Sequence, residues 1–217
     1  MDASVFIHST VFYNQEFEDI LKGIIDCYYS IIATKTELLN DENYIRDIML
    51  SKKYLKNSAF KNTHHPLEKY HFDKETAEND GRVDIRVLHI KPYKDDDAYY
   101  VIECKRIDSK NTKGKKGLNA KYIYEGIARF VSGKYSMYSK TAGMIGFVVE
   151  KMDIHQNISD IITLLNQHFG HINTEETFTH KTIVSGFKFS YFSRHKINDI
   201  SKIIYHLMLD FSDNIAV

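Results

Sequence analysis

The sequence predicts an α/β fold in a single domain, a mixed β-sheet flanked by helices. Three observations predict it. Apolar residues in the first third recur at helical spacing. The middle switches to strand-like alternation. Helical and strand-like runs then take turns to the C-terminus. A chain of 217 residues suits one domain and can bury a full core. Residues 1–36 read as an N-terminal helical segment packed on the core. Residues 37–217 read as the core itself, ending in a strand pair.

The elements follow in order. Val5 to Tyr13 fits a strand or the start of a helix. Phe17, Ile20, Leu21, Ile24, Ile25 and Tyr28 share one helical face. A second helix begins near Asn40 or Asp41, either of which can cap it. Its apolar face holds Ile45, Ile48, Met49 and Leu55. Tyr70 to Thr76 alternates in part, as a strand does. Arg82 to Ile90 puts Val83, Ile85 and Val87 on one face and Asp84, Arg86 and Leu88 on the other. Ala98 to Cys104 is aromatic and β-branched, and KPYKDDD between these two runs is turn material, so they form a hairpin. Ala120 to Tyr135 returns to helical spacing. Ala142 to Val149 is apolar throughout, which suits a strand covered on both faces and central in its sheet. Asp153 caps a helix bearing Ile154, Ile158, Ile161, Ile162 and Leu165. Ile183 to Phe192 and Ile203 to Phe211 read as two closing strands.

Composition narrows the function. Lys+Arg and Asp+Glu are both 29, so bulk charge cannot hold this chain to nucleic acid, although a local basic face can. Cys27 and Cys104 are too few for a disulfide framework or a four-cysteine zinc site. No signal peptide and no bilayer-length apolar run is visible, so the expected compartment is the cytoplasm, with no membrane partner. GKKG lacks the spacing of a nucleotide-binding phosphate loop.

One constellation carries chemistry. Glu103 and Lys105 lie two apart in a strand, so they share a face. A hairpin centred on Tyr93–Lys94 brings Asp84 opposite Glu103. Two close carboxylates repel, and a divalent cation removes that cost. Oxygen ligands without a cysteine–histidine set favour Mg²⁺ or Mn²⁺ over zinc. Lys105 is placed to orient a water and to stabilise developing negative charge. These parts suit hydrolysis of a phosphodiester.

The run G-R-V-D ending at Asp84, followed by Y-V-I-E-C-K-R with Glu103 and Lys105, resembles the signature of the PD-(D/E)xK nuclease superfamily. The similarity extends over about Asn40 to Glu150. It covers Glu42 on the preceding helix, the helix after Lys105 and the strand AGMIGFVV. Valine stands where the pattern often has proline before the acid. The resemblance implies a restriction-endonuclease-like fold and a metal held by Asp84, Glu103 and the Cys104 backbone carbonyl. It implies Lys105 on the attacking water and Glu42 on a second metal or its water. From the residues alone, Glu37 is the substitute if Glu42 fails. The resemblance also implies DNA as substrate, RNA being the weaker choice, and a role in defence or DNA maintenance. The absence of an added DNA-reading domain points to a homodimer or a partner protein.

The neighbouring residues are read as follows. Arg106, Lys110, Lys113, Lys115, Lys116 and Lys121 follow the site directly and suit phosphate contact, which positions DNA without reading bases. Glu125 and Arg129 stand at i and i+4 and read as an intrahelical pair; Lys134 projects from the same helix. Tyr122 and Tyr124 stack or pack. The histidines form no ligand pattern and read as structural or surface residues. Cys104 points away from Glu103 and Lys105 and reads as core. The expected activity is that of a Mg²⁺-dependent (or Mn²⁺-dependent) deoxyribonuclease. The alternative is a non-catalytic module that keeps the fold for binding or scaffolding in a larger complex.

Overall fold

The computed structural model describes residues 4–216 except 65–66, 79–80, 91–98, 136, 138–140 and 198, and it describes side chains from Asn14 onward, Glu78 excepted. The architecture is a mixed α/β arrangement around one seven-stranded sheet. Helix α1 (Ser4–Ala33) is continuous, so Val5 to Tyr13 is helix and not strand. Helix α2 (Glu42–Met49) follows, capped by Asp41, whose side chain accepts the Tyr44 N–H at 2.8 Å. After α3 (Ser58–Thr63) come β1 (Tyr70–Glu78), β2 (Gly81–His89) and β3 (Tyr99–Ile107). The turn expected between β2 and β3 lies outside the described residues.

Three helical pieces then run on from one another: α4 (Leu118–Lys121), a π-helical turn (Tyr122–Ile127) and α5 (Ala128–Val131). The helix expected to reach Tyr135 thus ends at Val131. Strand β4 (Thr141–Val148) is buried at every position, as expected of a central strand. Helix α6 (Ile154–His168) is capped by Asp153, which accepts the Gln156 N–H at 3.0 Å. Strands β5 (Thr174–His180), β6 (Ser190–Ile197) and β7 (Ile200–Asp210) complete the sheet.

The expected closing strand pair is therefore a set of three strands. TEETFTH in β5 buries only Phe178, because an edge strand has little to cover. The run from Ile183 that looked like a strand is a loop whose apolar side chains still pack on the core, and the strand starts at Ser190.

The sheet order is β1-β2-β3-β4-β7-β6-β5. The pair β3–β4 and the pair β4–β7 are parallel; the others are antiparallel. Alternation along the strands splits the core in two. Tyr100, Ile102 and Cys104 of β3, with Ile145 and Phe147 of β4, meet α1 and α2. Val101 and Ile107, with Ala142 and Met144, meet the π-helical turn, α5 and α6. Glu103 and Lys105 share the strand face of Val101 and Ile107, so they point into the layer of the π-helical turn. Gly126 lets that turn approach closely: a Cβ there would sit 2.3 Å from the Met144 side chain.

Candidate active site

The site grows from an interruption in β2. Its ladder to β3 runs through Leu88↔Tyr99, Val87↔Tyr100, Arg86↔Val101 and Ile85↔Ile102, then stops. The next position would set Asp84 against Glu103, the register expected from the sequence. The ladder to β1 is also broken there: Lys74 pairs with Ile85 and Thr76 with Val83, while Glu75 and Asp84 are skipped. Glu75 has φ +51, a left-handed conformation that costs a non-glycine residue about 1 kcal/mol or more. Val83 packs in one core layer, and Ile85 in the other. The strand is therefore kinked at Asp84. One Asp84 oxygen, Oδ2, takes the Cys104 N–H at 2.8 Å, a group the interrupted ladder leaves to it.

Lys105 is the centre of the cluster. Its Nζ donates to Glu103 Oε1 at 2.9 Å, to Glu42 Oε1 at 3.0 Å and to the Cys104 carbonyl at 2.7 Å, and lies 3.7 Å from Asp84 Oδ2. The structure thus brings Glu42, Asp84, Glu103 and Lys105 together. Glu37 is exposed, and the acid that reaches the lysine is Glu42. Glu42 also accepts the Arg106 N–H at 3.0 Å on Oε2, which ties α2 to the end of β3.

Two arginines complete the cluster, and the sequence reading missed both roles. Arg46 is 2% exposed. Its guanidinium donates to Asp84 Oδ1 at 2.9 Å, to Asp47 Oδ1 at 2.9 Å and to Glu75 Oε1 at 3.3 Å. Arg129 does not form the expected pair with Glu125. Its NH1 donates instead to Glu103 Oε1 at 2.9 Å and to the Tyr135 hydroxyl at 2.7 Å. The physical reason is the π-helical turn, which changes the phase of the helix just before Arg129. The signal that could have found them is charge balance. Three carboxylates and one lysine cannot enter a core without further cations.

Electrostatics follow from burial. Glu103 is 1% exposed, and its carboxyl is pushed up to about 7 by burial first and by the Asp84 charge second. Burial would lower the Lys105 ammonium, but Glu103, Asp84 and Glu42 outweigh it and hold the lysine above its ordinary value. The Cys104 thiol is driven well above its ordinary range by burial, so it is core and no nucleophile.

The donor set suits a hard divalent cation: carboxylates of Asp84, Glu103 and Glu42, and the Cys104 carbonyl, all oxygen. Glu103 Oε2 is buried with no hydrogen-bond partner, an oxygen left to accept something. Among the described residues no group of three such side chains stands ready to hold a metal ion, and the space between these carboxylates belongs to the Lys105 ammonium.

The surrounding cations divide. Arg106 is hydrogen-bonded within the chain: its NH1 donates to the Asn40 carbonyl and to Asn40 Oδ1, both at 2.7 Å. Lys110 pairs with Glu150 at 2.6 Å. Lys113, Lys115, Lys116 and Lys121 are exposed. Tyr122 is buried against His206, whereas Tyr124 is exposed. Among the described residues the other histidines are exposed or half-buried, but His195 and His206 are buried. They form a chain in which Ser193 Oγ lies 2.8 Å from Nε2 of each, and His206 Nδ1 lies 2.8 Å from the Tyr122 hydroxyl. Among the described residues no helix is long and apolar enough to cross a membrane. Comparison of the chain with family models, with curated proteins and with solved structures returned no match.

Proposed function

We propose that this protein is a metal-dependent nuclease that hydrolyses phosphodiester bonds of DNA, built on a restriction-endonuclease-like arrangement. The observation that carries the reading is the convergence of Glu42, Asp84 and Glu103 on the Lys105 ammonium at the kinked end of a strand pair. Asp84, Glu103 and the Cys104 carbonyl would hold Mg²⁺ or Mn²⁺, with Glu42 beside them. Bound there, such an ion would act as a Lewis acid on a phosphoryl oxygen. Lys105, freed from the carboxylates, orients the attacking water by hydrogen bonding and offsets charge on the phosphorane oxygens. Arg129 holds the Glu103 carboxylate in place, and Arg46 does the same for Asp84. The exposed lysines after β3 supply phosphate contacts.

A second reading has its own support. Arg46, Lys105 and Arg129 already balance the charges of Glu42, Asp84 and Glu103, so the cluster needs no metal for charge. That favours a binding or scaffolding module. One experiment separates the two. Supercoiled plasmid and single-stranded DNA are incubated with Mg²⁺, Mn²⁺ or EDTA, beside a Lys105→Ala control. Metal-dependent cleavage lost in the variant is the result expected of the nuclease. Absence of cleavage together with calorimetric silence towards Mn²⁺ would leave the module.

A further inference from the structure

A groove of about 550 Å³ opens beside the cluster, between the π-helical turn with α5 on one side and the segment before β5 with the end of β6 on the other. Its wall includes Tyr124, Glu125, Arg129, Lys134, His171 and Lys196. Three of these are cations, Arg129 already paired with Glu103, against one carboxylate in the wall. Tyr124 is 40% exposed, an aromatic ring at the edge of a basic groove. Arg129 belongs to both places. It lines the groove, and its NH1 is bound to Glu103 Oε1 at 2.9 Å. Lys196 is exposed and its only ion partner among the described residues is Asp199, at 3.1 Å. Asp199 is itself almost fully exposed, so that pair is weak and easily exchanged for a phosphate.

We infer that this groove binds unpaired nucleotides of a DNA strand next to the bond being cut. The chemistry is that of single-strand recognition: cations track the phosphates and an aromatic ring stacks on a base, which every base allows. A duplex offers its backbone to the cations but no open base face to Tyr124. The groove has the size of a small-ligand site, enough for a nucleotide or two and not for a double helix. Arg129 joins the phosphate track to the carboxylate cluster, so a strand held here is held one side chain away from buried Glu103. The assignment deepens the nuclease reading, and rests on it for the place of cleavage. Its preferred substrate is then a single strand, or a duplex with an unpaired flap or end.

The test is binding without chemistry. Fluorescence anisotropy in EDTA compares a labelled oligothymidylate with a labelled duplex of the same length, for the intact chain, Tyr124→Ala and Lys196→Glu. Both positions are exposed, so the variants keep the fold. The intact chain should bind the single strand more tightly than the duplex. Tyr124→Ala should weaken single-strand binding by roughly tenfold and leave duplex binding unchanged. Lys196→Glu should weaken it in a salt-dependent way, with a shallower salt slope. Equal affinity of the intact chain and Tyr124→Ala, or tighter binding of duplex than of single strand, overturns the groove. A separate cleavage assay in Mn²⁺ keeps the two ideas apart. Groove binding with no cleavage would remove the nuclease reading alone. Cleavage of single strands with an unchanged KM in the Tyr124→Ala, Lys196→Glu double variant would remove the groove alone.

Discussion

The Asp84 carboxylate accepts the backbone N–H of Cys104 at 2.8 Å, at the step where β2 and β3 cease to pair. Its other oxygen takes the Arg46 guanidinium at 2.9 Å. One side chain thus closes the kink in β2 and neutralises an arginine that water hardly reaches. The proposed metal ligand is thus also a strut of the fold, and removing its charge touches the kink and the arginine together.

Asp84→Asn should therefore destabilise the metal-free protein. The amide oxygen still accepts from Cys104, but Arg46 is left with Asp47 and Glu75 alone. A loss of about 1–3 kcal/mol is expected, the cost of weakening a buried charged hydrogen bond. Urea unfolding in EDTA measures it. An unchanged midpoint would mean that the other two acids suffice for Arg46.

Cation binding should depend steeply on pH near neutrality. Glu103 is raised to about 7 by burial and by Asp84, so it is largely protonated below that pH and ionised above it. A ligand must be ionised to bind, so Mn²⁺ affinity should climb through pH 7, by up to roughly tenfold per pH unit below the midpoint. Glu103→Gln should remove both the slope and most of the affinity. An isotherm that does not vary between pH 6 and pH 8 would take Glu103 out of the metal site.

The buried histidine chain predicts loss of stability on acidification. Burial lowers His195 to about 4 and His206 well below its ordinary value, with His195 adding to the latter. Below pH 6.5 the unfolded chain takes up protons that the folded chain refuses, so folding weakens as pH falls from 6.5 towards 4. His195 alone accounts for about 2 kcal/mol by pH 5, at about 1.4 kcal/mol per unit. His195→Gln should flatten that part of the profile in urea unfolding. A wild-type profile that is level from pH 7 to pH 5 would contradict the burial argument.

Reversal of charge at Lys113, Lys115 and Lys116 should weaken DNA binding at low salt. These side chains are exposed after β3. If each neutralises one phosphate, the slope of log K against log salt should fall in magnitude by about 3. Binding equal to that of the unaltered chain would return the loop to ordinary solvated surface.

What the sequence determined by itself is local. Asp41 and Asp153 cap their helices because a side-chain oxygen meets an N–H three residues on. The apolar run of β4 is central because both of its faces need cover. The observed β2–β3 register has the centre that the intervening turn suggested, although the pairing stops one step short of Asp84 and Glu103. Tertiary structure decided the rest. The kink at Asp84, the burial of Lys105 and the third closing strand depend on neighbours far along the chain. Arg46 and Arg129 each stand four residues after a glutamate on a helix, where a surface ion pair is the local choice. They turn inward because buried Glu103 and kinked Asp84 need cations, and helix spacing alone carries no record of that need.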